Sequence, residues 1–473
     1  MTATWTAPHS APPRPDLMVE DNHVNPIPAS QRHGGPWQQF ALWFGGNTNV
    51  FNIVLGAVVV ALGLTFVQAV IAITVGTVIG ALLIALHASQ GPKLGVPQMI
   101  QSRAQFGFDG ASILFVAVLV LNVGFVSAQL VIQGQALNQV WAVLPVPAWI
   151  ILLTPPALAI GVYGYRWVHR SAQVTAVVVG VTLVVMAVQA ASHGSLPAIQ
   201  THLTRPHAGV FMSGIALLVI DMLSFGPFVS DYSRYVPEQV PARRLIIAIW
   251  VGNVTATVGS CVLGAWLAAL LPQLGTVAAI GQISGRAVLV IMAASLVGGC
   301  AFNAYTGSLQ LIGLGQLVSR WREARPSRVL RVTAMTAVML VGMVIALLGY
   351  KSFVSELGNF LNLLLMIFIP WSAVNLTDYF LIRHGRYDVR AFSDRDGKYG
   401  RYAWRGLAAY GTGLLLEIPF IDQTYYTGFL VHHLGGADIS WIVGFAAAGS
   451  TYLLVMVRRP GIMRQLETVE SGP

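Results

Sequence analysis

Apolar runs of about 20 residues, long enough to cross a hydrocarbon core, recur from Trp37 almost to the C-terminus. Stretches such as Ile53 to Leu86 and Val174 to Val188 are apolar all round, which leaves no face for water and predicts helices packed in lipid. The pattern predicts an all-α membrane protein with 12 transmembrane helices, at 37–64, 67–88, 110–140, 147–164, 172–192, 209–230, 245–271, 287–316, 332–349, 355–381, 404–420 and 438–456. The first run is interrupted in its middle by Phe44-Gly45-Gly46-Asn47-Thr48-Asn49. A helix that opens at that depth exposes backbone amides and carbonyls that lipid cannot pair. Such a break is expected only where it lines a site for a solute or ion.

Helix 6 carries a second interruption. The stretch from Ile220 to Tyr232 has Gly226-Pro227 inside, and proline removes an amide donor while crowding the turn before it. Discontinuous helices at matching positions mark transporters built from two five-helix halves in opposite orientations. The expected organisation is a disordered cytoplasmic arm (1–35), a first half (36–192) and an inverted second half (193–381). A basic cytoplasmic loop (382–403), two further helices (404–456) and a cytoplasmic tail (457–473) follow. Gly45, Gly46, Gly226 and Pro227 are the expected breaks, and the site is expected between helices 1 and 6.

Composition fits this reading. Of 473 residues 55% are hydrophobic and 10% charged, against about 25% charged in an average soluble protein. All but three of the 27 lysines and arginines fall on the side of the N-terminus; the exceptions are Arg205, Arg286 and Lys351. Short basic loops stay in the cytoplasm, so both termini are predicted to be cytoplasmic in a multi-pass protein of the cell membrane. Topology and the lipid bilayer thus account for the net charge of +9, and no nucleic-acid partner is required. Cys261 and Cys300 lie in apolar segments without a metal or disulfide spacing, and nothing before Trp37 resembles a signal peptide.

Few polar side chains sit inside the spans. Asp221 is a carboxylate well within helix 6, where a charge costs about 2.5–3.5 kcal/mol even on the lenient insertion scale, so it needs a bound solute, a proton, a cation or a neighbouring donor. Asn49, Gln129 and Asn303 are amides with both donor and acceptor atoms. Phe125 and Phe225 are placed to clamp a flat ring from both faces, and Glu417 is placed near the outer surface.

Several motifs fall in one order and spacing: Pro36-Trp37 through Asn49, Gly91-Pro92-Lys93-Leu94-Gly95-Val96-Pro97, and Ser102-Arg103-Ala104-Gln105-Phe106-Gly107. Ser230-Asp231-Tyr232-Ser233-Arg234-Tyr235, Phe360-Leu361-Asn362-Leu363-Leu364 and Asp378-Tyr379-Phe380-Leu381 follow. From about Pro36 to Arg383 the chain resembles the purine–cytosine permeases, the first nucleobase–cation symporter family. The resemblance implies a LeuT-like arrangement of ten core helices plus two, alternating access, and a nucleobase-like solute imported with a cation. It implies that Asn49, Gln129 and Asn303 take the positions of edge-reading amides and Phe125 that of a stacking aromatic. At Asp221 and Phe225 relatives tend to carry tryptophan. A carboxylate there suits the N–H edge of cytosine, adenine or guanine better than the carbonyls of uracil or hydantoin.

The same resemblance places a sodium site on carbonyls of helix 1, at Gly45 and Thr48, and on helix 8 at Ala301 and Phe302. Those two have no side-chain oxygen, whereas a hard cation of this size wants about five or six oxygens. Proton coupling through Asp221 is therefore favoured over sodium coupling, and no cofactor, metal or catalytic residue is expected. The alternative is a sodium-coupled symporter of hydantoin, allantoin or a pyrimidine vitamin such as a thiamine precursor. A channel would show repeated pore-lining polar rings, an intramembrane enzyme a nucleophile–base pair, and an ATP-driven pump a phosphate-binding loop; none of these patterns is present. The sequence carries no signal of oligomeric state.

Overall fold

A computed structural model of the chain describes residues 25–457 apart from Gly164, 194–207, 318–327 and Thr424. The arm over 1–24, the tail over 458–473, Arg205 and the basic group from Arg320 to Arg325 lie outside the described residues.

The first apolar run folds as two helices, α1 (Pro36–Asn47) and α2 (Val50–Ala61), bent by 58° at Thr48 and Asn49. Then come α3 (Phe66–Ala88), three short turns α4 (Gln90–Leu94), α5 (Gln98–Gln101) and α6 (Arg103–Phe106), and the long α7 (Ser112–Val140). The chain continues through α8 (Val146–Tyr163), α9 (Tyr165–His193) and α10 (Ala208–Leu223), a 3-10 turn over Gly226–Phe228, and α11 (Val229–Ser233). The remaining helices are α12 (Ala242–Leu270), α13 (Thr276–Gly315), α14 (Arg328–Gly349), α15 (Phe353–Leu376), α16 (Trp404–Glu417) and α17 (Ser440–Val457). A two-stranded ribbon, Asp422–Gln423 with Tyr426–Thr427, joins the last two.

Among the described residues nine helices are long and apolar enough to cross a membrane, or ten with the bent α1–α2 pair counted as one span. The chain is thus a multi-pass helical membrane protein. Two of the twelve expected spans are short here: the apolar part of α8 covers Val146–Val162 and α16 has 14 residues. α13 holds two helical pieces that meet at a kink at Gly285 (φ 80°), the second of which begins at the span expected from 287.

One other expectation changes. Asn25 to Gly35 is not a disordered arm: Ile27 is buried, its amide donates to the Gly95 carbonyl at 2.9 Å, and Arg32 donates to the Pro92 carbonyl at 2.5 Å. Glu417 is fully buried, lodged against Gly444 of α17, where any Cβ would collide with the carboxylate. The Gly226-Pro227 break interrupts the α-helix of helix 6: α10 ends at Leu223 and α11 begins at Val229, with a 3-10 turn over Gly226–Phe228 between them, while the two still count as one span. Proline at the start of that turn loses only an amide that needed no helical partner.

The half-helix α2 is fixed in place by glycine. A Cβ on Gly56 would strike the Cys261 carbonyl of α12, and one on Gly264 of α12 would strike the Ile53 carbonyl of α2. Each backbone sits in the notch left by the other's missing side chain, the close approach that small residues permit between membrane helices. Gly56→Ala or Gly264→Ala is expected to lower stability in detergent by about 1–3 kcal/mol through overpacking. Gly259→Ala on α12, with open space around it, should leave the thermal midpoint unchanged. Equal midpoints for all three variants would contradict this packing.

Candidate functional site

Two glycines weaken the end of α1, and three asparagines absorb the backbone groups that the break frees. The Asn47 amide donates to the Trp43 carbonyl at 2.9 Å and to Asn253 Oδ1 of α12 at 2.8 Å. Asn49, extended at φ −155°, caps α2: its Oδ1 accepts from the Asn52 amide at 3.1 Å, and its Nδ2 donates to the Gly46 carbonyl at 2.5 Å. Asn52 Nδ2 at 2.7 Å and Ser260 Oγ at 3.4 Å both donate to the Asn47 carbonyl. The Thr48 hydroxyl turns back to the Phe44 carbonyl at 2.6 Å. In a medium without water this closed network is what allows the helix to stop.

Beside the break lies a cavity with ≈ 60 Å³ open to the centres of water molecules, room for a few waters. Its walls bring together Gly45 and Gly46 of α1, Asn49, Phe125 and Gln129 of α7, Asp221 of α10, Phe225, and Asn303 of α13. Residues far apart in sequence thus meet at one place. Gly226, Pro227 and Thr48 are not on its wall. Phe225 reaches it from the turn between α10 and α11, while Gly226 packs toward Trp371 and His87.

The wall is aromatic and, among the described residues, carries no lysine, arginine or histidine. The Phe125 and Phe225 rings lie 6.5 Å apart at 30°. A flat guest stacked between them needs about 7–8 Å, two van der Waals thicknesses, so the rings part slightly to admit one. Trp43, Phe51 and Phe302 also line the cavity. Phe51 meets Phe125 at 5.5 Å, and Trp43 meets Phe225 edge-on at 5.6 Å. Sequence reading missed these rings as site residues. The helical spacing of Trp43 and Asn47 was the available signal for the first. Phe302 was read only as a position without a cation-ligating oxygen, yet it stacks on Tyr232 at 4.6 Å and 5°.

The wall leaves three acceptors and one donor, the Trp43 indole N–H, buried without a partner among the described residues. Asp221 Oδ2, Gln129 Oε1 and Asn303 Oδ1 are buried without a hydrogen-bond partner among the described residues. The Asn303 amide nitrogen donates to the Gly299 carbonyl at 2.9 Å, which fixes its oxygen as the free end. Both ends of the Asn49 amide are already used by the break. Gly299 leaves room for Gln129, whose side-chain oxygen would lie 2.8 Å from a Cβ at that position.

Other motif residues are structural. Asp231 accepts from the Gln98 amide at 3.0 Å, and the Ser230 hydroxyl donates to Gln98 Oε1 at 2.5 Å, which ties α11 to α5. Asp378 accepts from Gln105 Nε2 (2.6 Å), Arg383 Nε (3.1 Å), and the hydroxyls of Tyr387 and Tyr452 (2.8 Å each).

A helical bundle with an enclosed, aromatic-walled cavity at a broken helix is the architecture of a membrane solute carrier, a transporter and not an enzyme. The chain belongs to the family described as permease for cytosine/purines, uracil, thiamine, allantoin, which matches residues 26–444. The match runs past both ends of the Pro36–Arg383 stretch and takes in α16. A Bacillus subtilis (strain 168) relative, the candidate purine-cytosine permease YxlA, is 31% identical over 94% of this chain and 97% of its own. The purine-cytosine permease fcyB of Emericella nidulans is 24% identical over 93% and 88%. Among solved structures, the nucleobase-cation-symport-1 transporter MHP1, closed with bromovinylhydantoin bound, is 20% identical over 96% and 97% of the two chains, with a TM-score of 0.73. It shares the LeuT-like fold.

Removing either partner of the Asn47–Asn253 bond leaves a buried amide unpaired, at a cost of about 1–3 kcal/mol. Asn47→Ala and Asn253→Ala are each expected to lower the thermal midpoint, and the double variant less than their sum. Strict additivity would show that the two side chains do not cooperate in holding the break.

Proposed function

We propose that the chain imports a planar heterocycle of the cytosine/purine type by alternating access, coupled to protons. The observation that carries this reading is Asp221, a buried carboxylate on an aromatic-walled cavity that holds no lysine, arginine or histidine among its described lining residues. Burying an unpaired carboxylate costs several kcal/mol. A proton, or a guest that donates N–H groups, removes that cost. The free oxygens of Gln129 and Asn303 add to the acceptor edge and match the paired N–H donors of cytosine, adenine or guanine. Phe125 and Phe225 are the proposed stacking pair. On this reading twelve segments cross the bilayer, with α1–α9 and α10–α15 as inverted five-helix repeats, α16 and α17 appended, and both termini cytoplasmic.

A second reading is a sodium-coupled symporter of hydantoin, allantoin or a thiamine precursor, favoured by the hydantoin-bound relative and by the family's breadth. Against it, Ala301 and Phe302 offer no side-chain oxygen.

Thermal-shift screening of the purified protein should show stabilisation by cytosine, adenine or guanine and not by uracil, hydantoin or thiamine, about 2.7 kcal/mol at a hundredfold excess over Kd. A response to hydantoin alone would reverse the order of the two readings. Uptake should rise as external pH falls at constant sodium; a strict sodium requirement at fixed pH removes proton coupling. Asp221→Asn is expected to insert normally and to cut accumulation at least about tenfold, equivalent to 1.4 kcal/mol. Undiminished accumulation by that variant would take Asp221 out of the mechanism.

A further inference from the structure

A second cavity, remote in chemistry from the first, opens where the end of the Asp378–Arg383 helical segment meets the basic loop and α16. Its volume is ≈ 390 Å³, and Gln105, Arg383, Lys398, Tyr402, Trp404 and Arg405 supply its functional wall. Arg383 is neutralised by Asp378 at 3.1 Å. Lys398 and Arg405 have no ion-pair or hydrogen-bond partner among the described residues, although their loop neighbours Arg395 and Arg401 are paired with Asp109 and Asp396. No aspartate or glutamate lines the cavity, so two positive charges stand there uncompensated. Gln105 is 2% exposed; its nitrogen is held by Asp378 and Tyr387, while its Oε1 has no partner and is left for a donor. Trp404, Arg405 and Gly406 open α16, whose first turn has no capping side chain.

From this arrangement we propose that the cavity binds the headgroup of an anionic phospholipid bearing a hydroxyl, such as a phosphoglycerol. Lys398 and Arg405 face the phosphate, the uncapped first turn of α16 adds amide donors, and Gln105 Oε1 accepts from the headgroup hydroxyl. A lipid suits the site better than free phosphate because its rim is apolar and exposed. Tyr402 and Trp404 stack at 5.5 Å with Trp404 71% exposed, in the manner of aromatic rings at a membrane interface. Met456 lines the cavity, and the next residue, Val457, is 69% exposed and open to acyl chains. The site shares no residue with the transport cavity, so its test is independent of the substrate assignment.

The test uses the full-length protein purified in detergent, with thermal unfolding measured in phosphatidylglycerol, in phosphatidylcholine of the same chains, and in millimolar glycerol 3-phosphate or inorganic phosphate. Phosphatidylglycerol is expected to raise Tm by several degrees over phosphatidylcholine, and the two soluble phosphates to leave it unchanged. Lys398→Gln with Arg405→Gln should abolish that difference while keeping the phosphatidylcholine value. If the double variant lowers that value, Lys398→Gln alone carries the comparison. Native mass spectrometry should retain phosphatidylglycerol on the wild type and lose it from the variant. Equal Tm in the two lipids, an undiminished shift in the variant, or the same shift from a soluble phosphate would overturn the proposal.

Discussion

Everything in this molecule depends on one constraint: a helix may stop inside a membrane only if every amide and carbonyl it releases finds a protein partner. Asn47, Asn49 and Asn52 meet that demand from within the chain segment itself, and Asn253 and Ser260 meet it from α12. The solution is asymmetric. One amide of the break turns outward to α12, another caps the new helix, and neither is left for a guest. The cavity next to the break therefore takes its polar character from elsewhere, from Asp221, Gln129 and Asn303 on three other elements.

That division of labour separates shape from selectivity. Aromatic rings from α1, α2, α7, α13 and the turn after α10 bound the space. Three acceptor oxygens and the Trp43 indole N–H are left on its wall without a partner among the described residues.

Legibility in the sequence followed the strength of the local signal. Two glycines and two asparagines inside an apolar run have no other use, so the α1–α2 break was readable to within a residue or two. Asp221, Phe125, Gln129 and Asn303 stood out as polar or aromatic residues at depth, and the fold brings them to one cavity. Gly226-Pro227 marks the 3-10 turn between α10 and α11, but nothing in the sequence showed that the glycine and the proline would stay off the cavity wall while Phe225 lies on it. The socket that Gly444 vacates for Glu417 was not legible, because nothing in the helix of Glu417 announces a glycine on the next one. The packing of Ile27 beneath Gly95 is likewise a contact across some 70 residues, invisible in a polar, proline-rich stretch.

The interlock of Gly56 and Gly264 bears on how such a machine can move. With each main chain seated in the other's notch, α2 and α12 cannot slide past one another by even a single residue without steric collision. Conformational change must carry the two as a single strut. On the cavity side the strut meets α7 through the rings of Phe51 and Phe125, 5.5 Å apart, a contact that has no such interlock.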